Sequence, residues 1–328
     1  MTPVKENERG AALLSILLLV AVLAVIAATT LDRLALSTKL SANGNALSQG
    51  RAYSYAVENI ATSRIEDLLA RDAAQTTLDG GWLNKEQPLP VPTGTATARV
   101  RDAGNCFNLN SLVSQADGQL LASGTGQEQF ITLMLTLGVP DNEARAVAAA
   151  AADWADSDAS PLPGGAEDND YRSAETPYLA ANSLYSHPSE LRAVKGMTSA
   201  IYARLRGWIC ALPAAELSPI NINTLLPDQA PLLVMLFPVG HLSPLAARSY
   251  LAKRPTSGYG SLNRFWGAPE MAALKPTDLV QGQVKLKSKY FLLDTKISIG
   301  DLVLQGQALV AGDPAPARVL WRSWGENE

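Results

Sequence analysis

Between residues 153 and 175 the chain reads DWADSDASPLPGGAEDNDYRSAE. Seven carboxylates fall in this stretch: Asp153, Asp156, Asp158, Glu167, Asp168, Asp170 and Glu175. Arg172 is the one basic residue among them, so seven acids against one base leave −6, more than the −4 of the whole chain. Carboxylates this crowded repel one another unless water or a cation separates them. Asp156 and Asp158 stand on one side of a Pro/Gly loop, and Glu167, Asp168 and Asp170 on the other. Closing that loop would bring both sets onto one ion. Donors made only of oxygen suit calcium, which takes about six to eight of them. With no His or Cys in the segment, zinc and copper are disfavoured. The run from Asp156 to Pro161 is not an EF-hand, because its sixth position lacks the glycine that the sharp turn needs. A solvated acidic loop is the other reading, and the residues alone leave the two open.

Catalytic chemistry finds little support. The two histidines, His187 and His241, sit before a proline at a helix start and in a loop. There is no GxSxG, no Walker A loop and no HExxH. The acidic run could be imagined as a glycosidase pair, but carboxylates so dense more often hold a cation or face water. The two cysteines, Cys106 and Cys210, form neither a CxxC nor a zinc-ligand spacing. Outside the cytosol they read as a disulfide; two buried free thiols are the alternative. A net charge of −4 gives no basic surplus for nucleic acid.

The elements that must position these groups begin with a membrane-length helix. From Ala11 to Leu31 only Ser15, Thr29 and Thr30 are polar. At about 1.5 Å per residue such a helix spans roughly 30 Å, the thickness of a bilayer core. It is too long for the apolar core of a secretory signal peptide. Residues 32–73 contain no proline, and Tyr53, Ala56, Val57, Ile60, Ala61, Ile65 and Leu68 follow helical 3/4 spacing. The membrane helix is therefore expected to continue onto a soluble domain, with Gly44 and Gly50 allowing a break at 41–50. Leu78 to Gly81 and the proline-rich 88–92 read as loops. Residues 94–102 alternate like a strand, as do Val284, Leu286 and Tyr290, then Ile297 and Ile299, with 317–324 as a last strand. These segments are expected to form one antiparallel sheet against the long helix, an α+β architecture with 103 to about 280 inserted between strands. The insertion reads as helical over Glu128–Leu137, Asp141–Trp154 and Glu190–Cys210, the last broken at Gly196. It holds an internal echo, CFNLNSLV at 106–113 and SPININTLL at 218–226, with Asn108, Asn110, Asn221 and Asn223 placed as helix caps.

The charged leader ending in Arg9-Gly10, the immediate apolar helix and its amphipathic continuation resemble the type IV prepilin class. Most members carry Glu at the fifth mature position, where this chain has Ser15. A carboxylate in an apolar setting needs a partner, and a subunit with no neighbour ahead of it would gain nothing from one. With the length and the paired Asn blocks, the resemblance narrows to the protein K family of type II secretion minor pseudopilins and covers nearly the whole chain.

That resemblance implies a leader at 1–10, cut between Gly10 and Ala11 by a prepilin peptidase, with Ala11 methylated. It implies a transmembrane helix at 11–31 and the amphipathic helix with the first part of a pilin-like domain at 32–105. Two SAM-like, helix-hairpin-helix-like modules follow at 106–213 and 214–280, and strands at 281–328 complete the sheet. Calcium at Asp156, Asp158, Glu167, Asp168 and Asp170 is implied as a structural ion. The expected place is the bacterial inner membrane, single-pass, with the C-terminal domain in the periplasm and the tip of the pseudopilus after assembly. Minor pseudopilins I and J, then H, are the implied partners, with secreted substrates and the outer-membrane secretin beyond them. A Cys106–Cys210 bridge would tie the ends of the insertion across a loop of about 100 residues, worth up to roughly 4–5 kcal/mol in the chain-entropy account. A membrane-anchored DNA receptor of a competence machine shares the leader and the Asn blocks. Its hairpins, LGVPDN at 137–142 and FPVGHLS at 237–243, lack the Gly-apolar-Gly turn, and the first is acidic. An anchored periplasmic hydrolase is the remaining alternative.

Overall fold

The computed structural model describes residues 6–173 and 175–325; of the leader, residues 1–5 lie outside them. The first element is a single helix, α1 (Glu6–Arg71), 66 residues long and unbroken at 41–50. The expected break does not occur, since Gly44 and Gly50 each cost only about 1 kcal/mol against alanine and neighbouring turns carry the helix through. From Gly10 to Asn45 the helix is exposed on every face, and its apolar window is long and hydrophobic enough to cross a membrane.

Its second half is amphipathic, with a shifted stripe. Gly50, Ser54, Val57, Glu58, Ala61, Ile65 and Leu69 are buried, while Ala56 and Ile60 stay exposed. The apolar count alone missed Ser54 and Glu58. Glu58 is tolerated there because Arg322 pairs with it at 3.0 Å across the edge of the sheet. Each fully buried aliphatic side chain in this stripe contributes about 1.5–3 kcal/mol.

The stripe packs on a five-stranded antiparallel sheet: β1 (Glu86–Leu89), β2 (Thr95–Asp102), and the late strands β9 (Tyr290–Ile299), β10 (Leu302–Ala311) and β11 (Arg318–Trp324), in the order β1-β2-β9-β10-β11. Val57 and Ala61 meet Ala96, Ala98, Leu293 and Ile297, and Ile65 and Leu69 meet Phe291 and Val310. Part of the proline-rich 88–92 is thus a strand. Pro88 is accommodated because β1 is an edge, where a missing N–H breaks no ladder.

The chain between β2 and β9 forms the head. It runs through β3 (Phe107–Asn108), the hairpin β4 (Val113–Ala116) and β5 (Gln119–Ala122), α2 (Gly124–Thr136), α3 (Asp141–Asp153), α4 (Asp168–Arg172), α5 (Ser199–Leu205) and β6 (Ile209–Cys210). It continues as β7 (Ile220–Asn221), α6 (Ala230–Val234), α7 (Pro244–Ala252), α8 (Leu262–Trp266), α9 (Pro269–Ala272), α10 (Asp278–Gln283) and β8 (Val284–Lys285). The expected helix over Glu190–Cys210 is a 3-10 turn at Pro188–Ala193, then α5, then β6, because Gly196 adopts φ +83° and stops any helix. Val284 belongs to the head and not to the sheet, since β8 pairs parallel with β7.

The Asn echo marks two equivalent frames. β3 pairs parallel with β6, as β7 does with β8, so each half of the head is closed by its own two-residue ladder. Asn108 accepts from the backbone of Asn110 and Asn221 from that of Asn223. Asn110 in turn accepts from the Tyr185 amide, and Asn223 from the Tyr259 amide, tying each frame to the middle of its own half. The Cys106–Cys210 disulfide closes the first frame, with 5.9 Å between Cα atoms. It therefore ties the ends of the first half only, not of the whole insertion as expected.

Head and sheet meet at Asp102, the last residue of β2, which is buried. Its carboxylate accepts from the Ser288 and Thr224 hydroxyls and from the Gly104 amide at 2.9 Å. Those donors come from both ends of the second half and from the entry to the first. Burial pushes the Asp102 carboxyl above its ordinary range, and the hydroxyl and amide donors pull it back. Replacing Asp102 by alanine leaves these donors buried without their acceptor, and urea unfolding should show a loss of about 2–3 kcal/mol. Unchanged stability would contradict the role given to this junction.

Candidate metal centre

The acidic segment starts where α3 stops. Asp153 ends the helix fully buried, and the chain turns through Trp154 and Ala155 with the Asp156 amide still bonded to the Ala152 carbonyl at 3.0 Å. The β4–β5 hairpin holds the first limb. Ser157 donates its amide to Leu120 O at 2.9 Å, and its hydroxyl accepts from the Leu120 amide at 2.9 Å. Asp158 caps the following turn by accepting from the Ser160 amide at 2.7 Å. The second limb returns through Leu162 to Ala166, and Glu167 leads into α4.

This path brings three of the sequence-predicted residues together. One oxygen from each of Asp156, Asp158 and Glu167 lies within 4.8 Å of the others, the one group of this kind among the described residues. Asp156 and Glu167 are 2% and 4% exposed, whereas Asp158 reaches solvent. Asp156 Oδ1 and both Glu167 oxygens are buried without a hydrogen-bond donor. Buried anionic oxygens lacking donors are costly unless a cation meets them. Their ionisation reflects this: burial, then repulsion from Asp158, Asp153 and Glu167, pushes Asp156 up to about 7. Burial followed by the Asp153 charge likewise raises Glu167.

The other two predicted ligands are placed elsewhere. Asp168 pairs with Arg172 at 2.9 Å and accepts from the Ala180 amide at 3.1 Å. Asp170 pairs with Lys195 at 2.6 Å, which holds its carboxyl below the usual range, and accepts from the Glu167 amide at 3.2 Å. Sequence spacing could not separate these from Glu167, because all three fall in one short turn. The residue it passed over is Asp153, whose signal was a carboxylate at the end of an alanine-rich helix. A donor set of three carboxylates with no imidazole or thiolate fits a hard divalent ion such as calcium.

The remaining predicted positions are structural or exposed. His187 caps the turn at Pro188, its Nδ1 2.7 Å from the Ser189 hydroxyl, and His241 lies in a loop. Gly10 and Ala11 are exposed on α1, and the Ser15 hydroxyl folds back to donate to Ala11 O at 2.9 Å.

Without metal, the carboxyls with raised values bind more protons in the folded chain than in the unfolded one. That protonation stabilises the fold fully below about pH 3.8 and is lost as pH rises through about 7 for Asp156. In chelator, the melting temperature should therefore rise as pH falls from 8 to 6. The rise should be smaller in Asp156→Asn, which is neutral throughout, and calcium should flatten it in the wild type. Identical profiles for wild type and Asp156→Asn would show that the site does not titrate this way.

The chain has clear relatives. The profile of the family described as Type II secretion system (T2SS), protein K, matches residues 105–214, and a second profile of the same description matches 220–287. Type II secretion system protein K of Klebsiella pneumoniae is 33% identical over 98% of this chain and 97% of that protein. The Aeromonas hydrophila protein of the same name is 34% identical over 91% of each. Among solved structures, the GspK-GspI-GspJ complex from the enterotoxigenic Escherichia coli type 2 secretion system contains a similar chain. It matches with a TM-score of 0.75 at 28% identity, covering 88% of this chain and 99% of that one.

Proposed function

The chain belongs to the type II secretion system protein K family and is a minor pseudopilin; from that premise we propose that it works at the tip of the pseudopilus, where it initiates or caps assembly. The observation that carries this reading is where the head leaves the sheet. Asp102 ends β2 beside Phe291 at the start of β9, and Phe291 packs on Ile65 and Leu69 near the C-terminal end of α1. The head is therefore mounted at the end of α1 farthest from its apolar half, over the place that a subunit ahead of it would occupy. Ser15 supports the same position. Its hydroxyl is satisfied within its own helix and carries no charge that calls for a neighbour's amino terminus.

On this reading a prepilin peptidase cuts between Gly10 and Ala11, and the new Ala11 amine is methylated. Residues 11–31 wait in the inner membrane with the C-terminal domain in the periplasm, then pack among other pseudopilin helices. Leaving lipid for protein offers such a helix little hydrophobic gain, so fit and periplasmic contacts must select its neighbours. The solved relative was crystallised with GspI and GspJ, and the corresponding I and J pseudopilins are the partners proposed here, with H below them. The two Asn-framed halves of the head serve as SAM-like docking modules toward secreted proteins and the secretin. Asp156, Asp158 and Glu167 hold a structural calcium ion that ties the two limbs of the acidic loop. The work is assembly, with no bond chemistry of its own.

Co-expression of the full chain with its I and J pseudopilins should give a complex that elutes with one copy of each by light scattering. A chain that stays apart from both partners would count against the assignment.

A further inference from the structure

Asp153 lies outside the three-carboxylate group, yet it closes the loop that forms the group. Its Oδ2 accepts from the Ala166 amide at 2.7 Å and from the Leu162 amide at 3.2 Å, and its Oδ1 from Leu162 at 3.1 Å. Ala166 directly precedes Glu167, so the carboxylate at the end of α3 draws in the second ligand-bearing limb. The fit leaves no spare room: a Cβ on Gly165 would fall 1.8 Å from Asp153 Oδ2. The arrangement works against electrostatics. A buried carboxylate at the negative end of a helix, with Asp158 and Asp170 adding repulsion, is destabilised as an anion. Hydrogen bonds to two backbone amides are what retain it.

We propose that Asp153 is the positioning residue of the divalent-cation site, holding Glu167 opposite Asp156 through its two backbone hydrogen bonds without ligating the ion. This rests on the reading of Asp156, Asp158 and Glu167 as a cation site. Both oxygens of Asp153 are already engaged by amides, whereas Asp156 Oδ1 and both Glu167 oxygens have no donor, and one oxygen of each residue lies within 4.8 Å of the other's.

Terbium provides the probe, because Trp154 lies between Asp153 and the first ligands and can sensitise its luminescence. In the detergent-solubilised full chain, terbium should saturate and calcium should displace it. A wild-type protein with no saturable signal would remove the cation reading itself, and the positioning role with it. Asp153→Asn and Asp153→Ala lose the same charge, but an asparagine oxygen at the Oδ2 position keeps the hydrogen bond from the Ala166 amide, the one next to Glu167, while its NH2 replaces only the Oδ1 acceptor of Leu162. The alanine variant should therefore bind terbium about tenfold or more weakly than the asparagine variant. Equal affinities would show that only the charge matters, and would overturn the positioning role. Gly165→Ala keeps the charge and displaces the carboxylate, so it should also weaken binding about tenfold. Wild-type affinity in that variant would be contrary evidence, and it remains available if Asp153→Ala does not melt cooperatively.

Discussion

The structure depends on one helix that must satisfy two environments. From Ala11 to Leu31 α1 is apolar on every face, and from Gly10 to Asn45 it is exposed throughout. The second half presents a stripe of buried positions to the sheet and a polar face to solvent. Because the helix is continuous, the orientation of the sheet about the stripe fixes where the globular part stands relative to the membrane rod. Where the stripe meets the sheet hairpin, Gly50 faces Leu302, Leu304 and Ile299, and a methyl group there would make ordinary contacts at 3.5–3.9 Å. Further along, Ile65 and Leu69 bring in larger volume against Phe291. Glu58, tied to Arg322, and the edge contact of Tyr55 with Trp324 lock the last strand onto the same helix.

The head is mounted on this base by buried polar contacts. Asp102 gathers donors from three segments, and Asn221 adds the Thr76 carbonyl and Ser288 hydroxyl, so the chain leaving α1 is bound to the same junction. Within the head, the Gln129 and Gln283 side chains exchange hydrogen bonds at 2.8 and 3.1 Å between α2 and α10. Buried amides so paired lose more when one partner is removed than they add as a pair. They specify one arrangement of the two halves in a way that an apolar contact would not. The disulfide joins the two ends of the first half, and the acidic loop lies in its middle.

Much of this was legible in the sequence, for physical reasons. The rod announced itself by composition, and β2 and the late strands by alternation, because each buries one face against one partner. The Cys106–Cys210 bond was legible as a pairing, though not which part of the head it closes. What stayed hidden depended on distant partners. Pro88 concealed β1, since edge status is a property of the assembled sheet. Val284 and Leu286 alternate like β9, but the β7 ladder claims the first of them. The hairpin β4–β5 shows in the sequence only through its turn, Asp117-Gly118, with φ of 49° and 81°. At the acidic site, five carboxylates looked equivalent until Arg172 and Lys195 claimed two of them. Asp102, one aspartate at a strand end, had no local signal at all.

The tip reading requires that α1 be free to leave lipid and stack with other helices, and that freedom begins with removal of the charged leader. Its most direct test is the mass of the amino-terminal peptide of the native protein purified from membranes. The account predicts a chain that begins at Ala11 with one added methyl group on its amine. A mature chain that still begins at Met1 would contradict it.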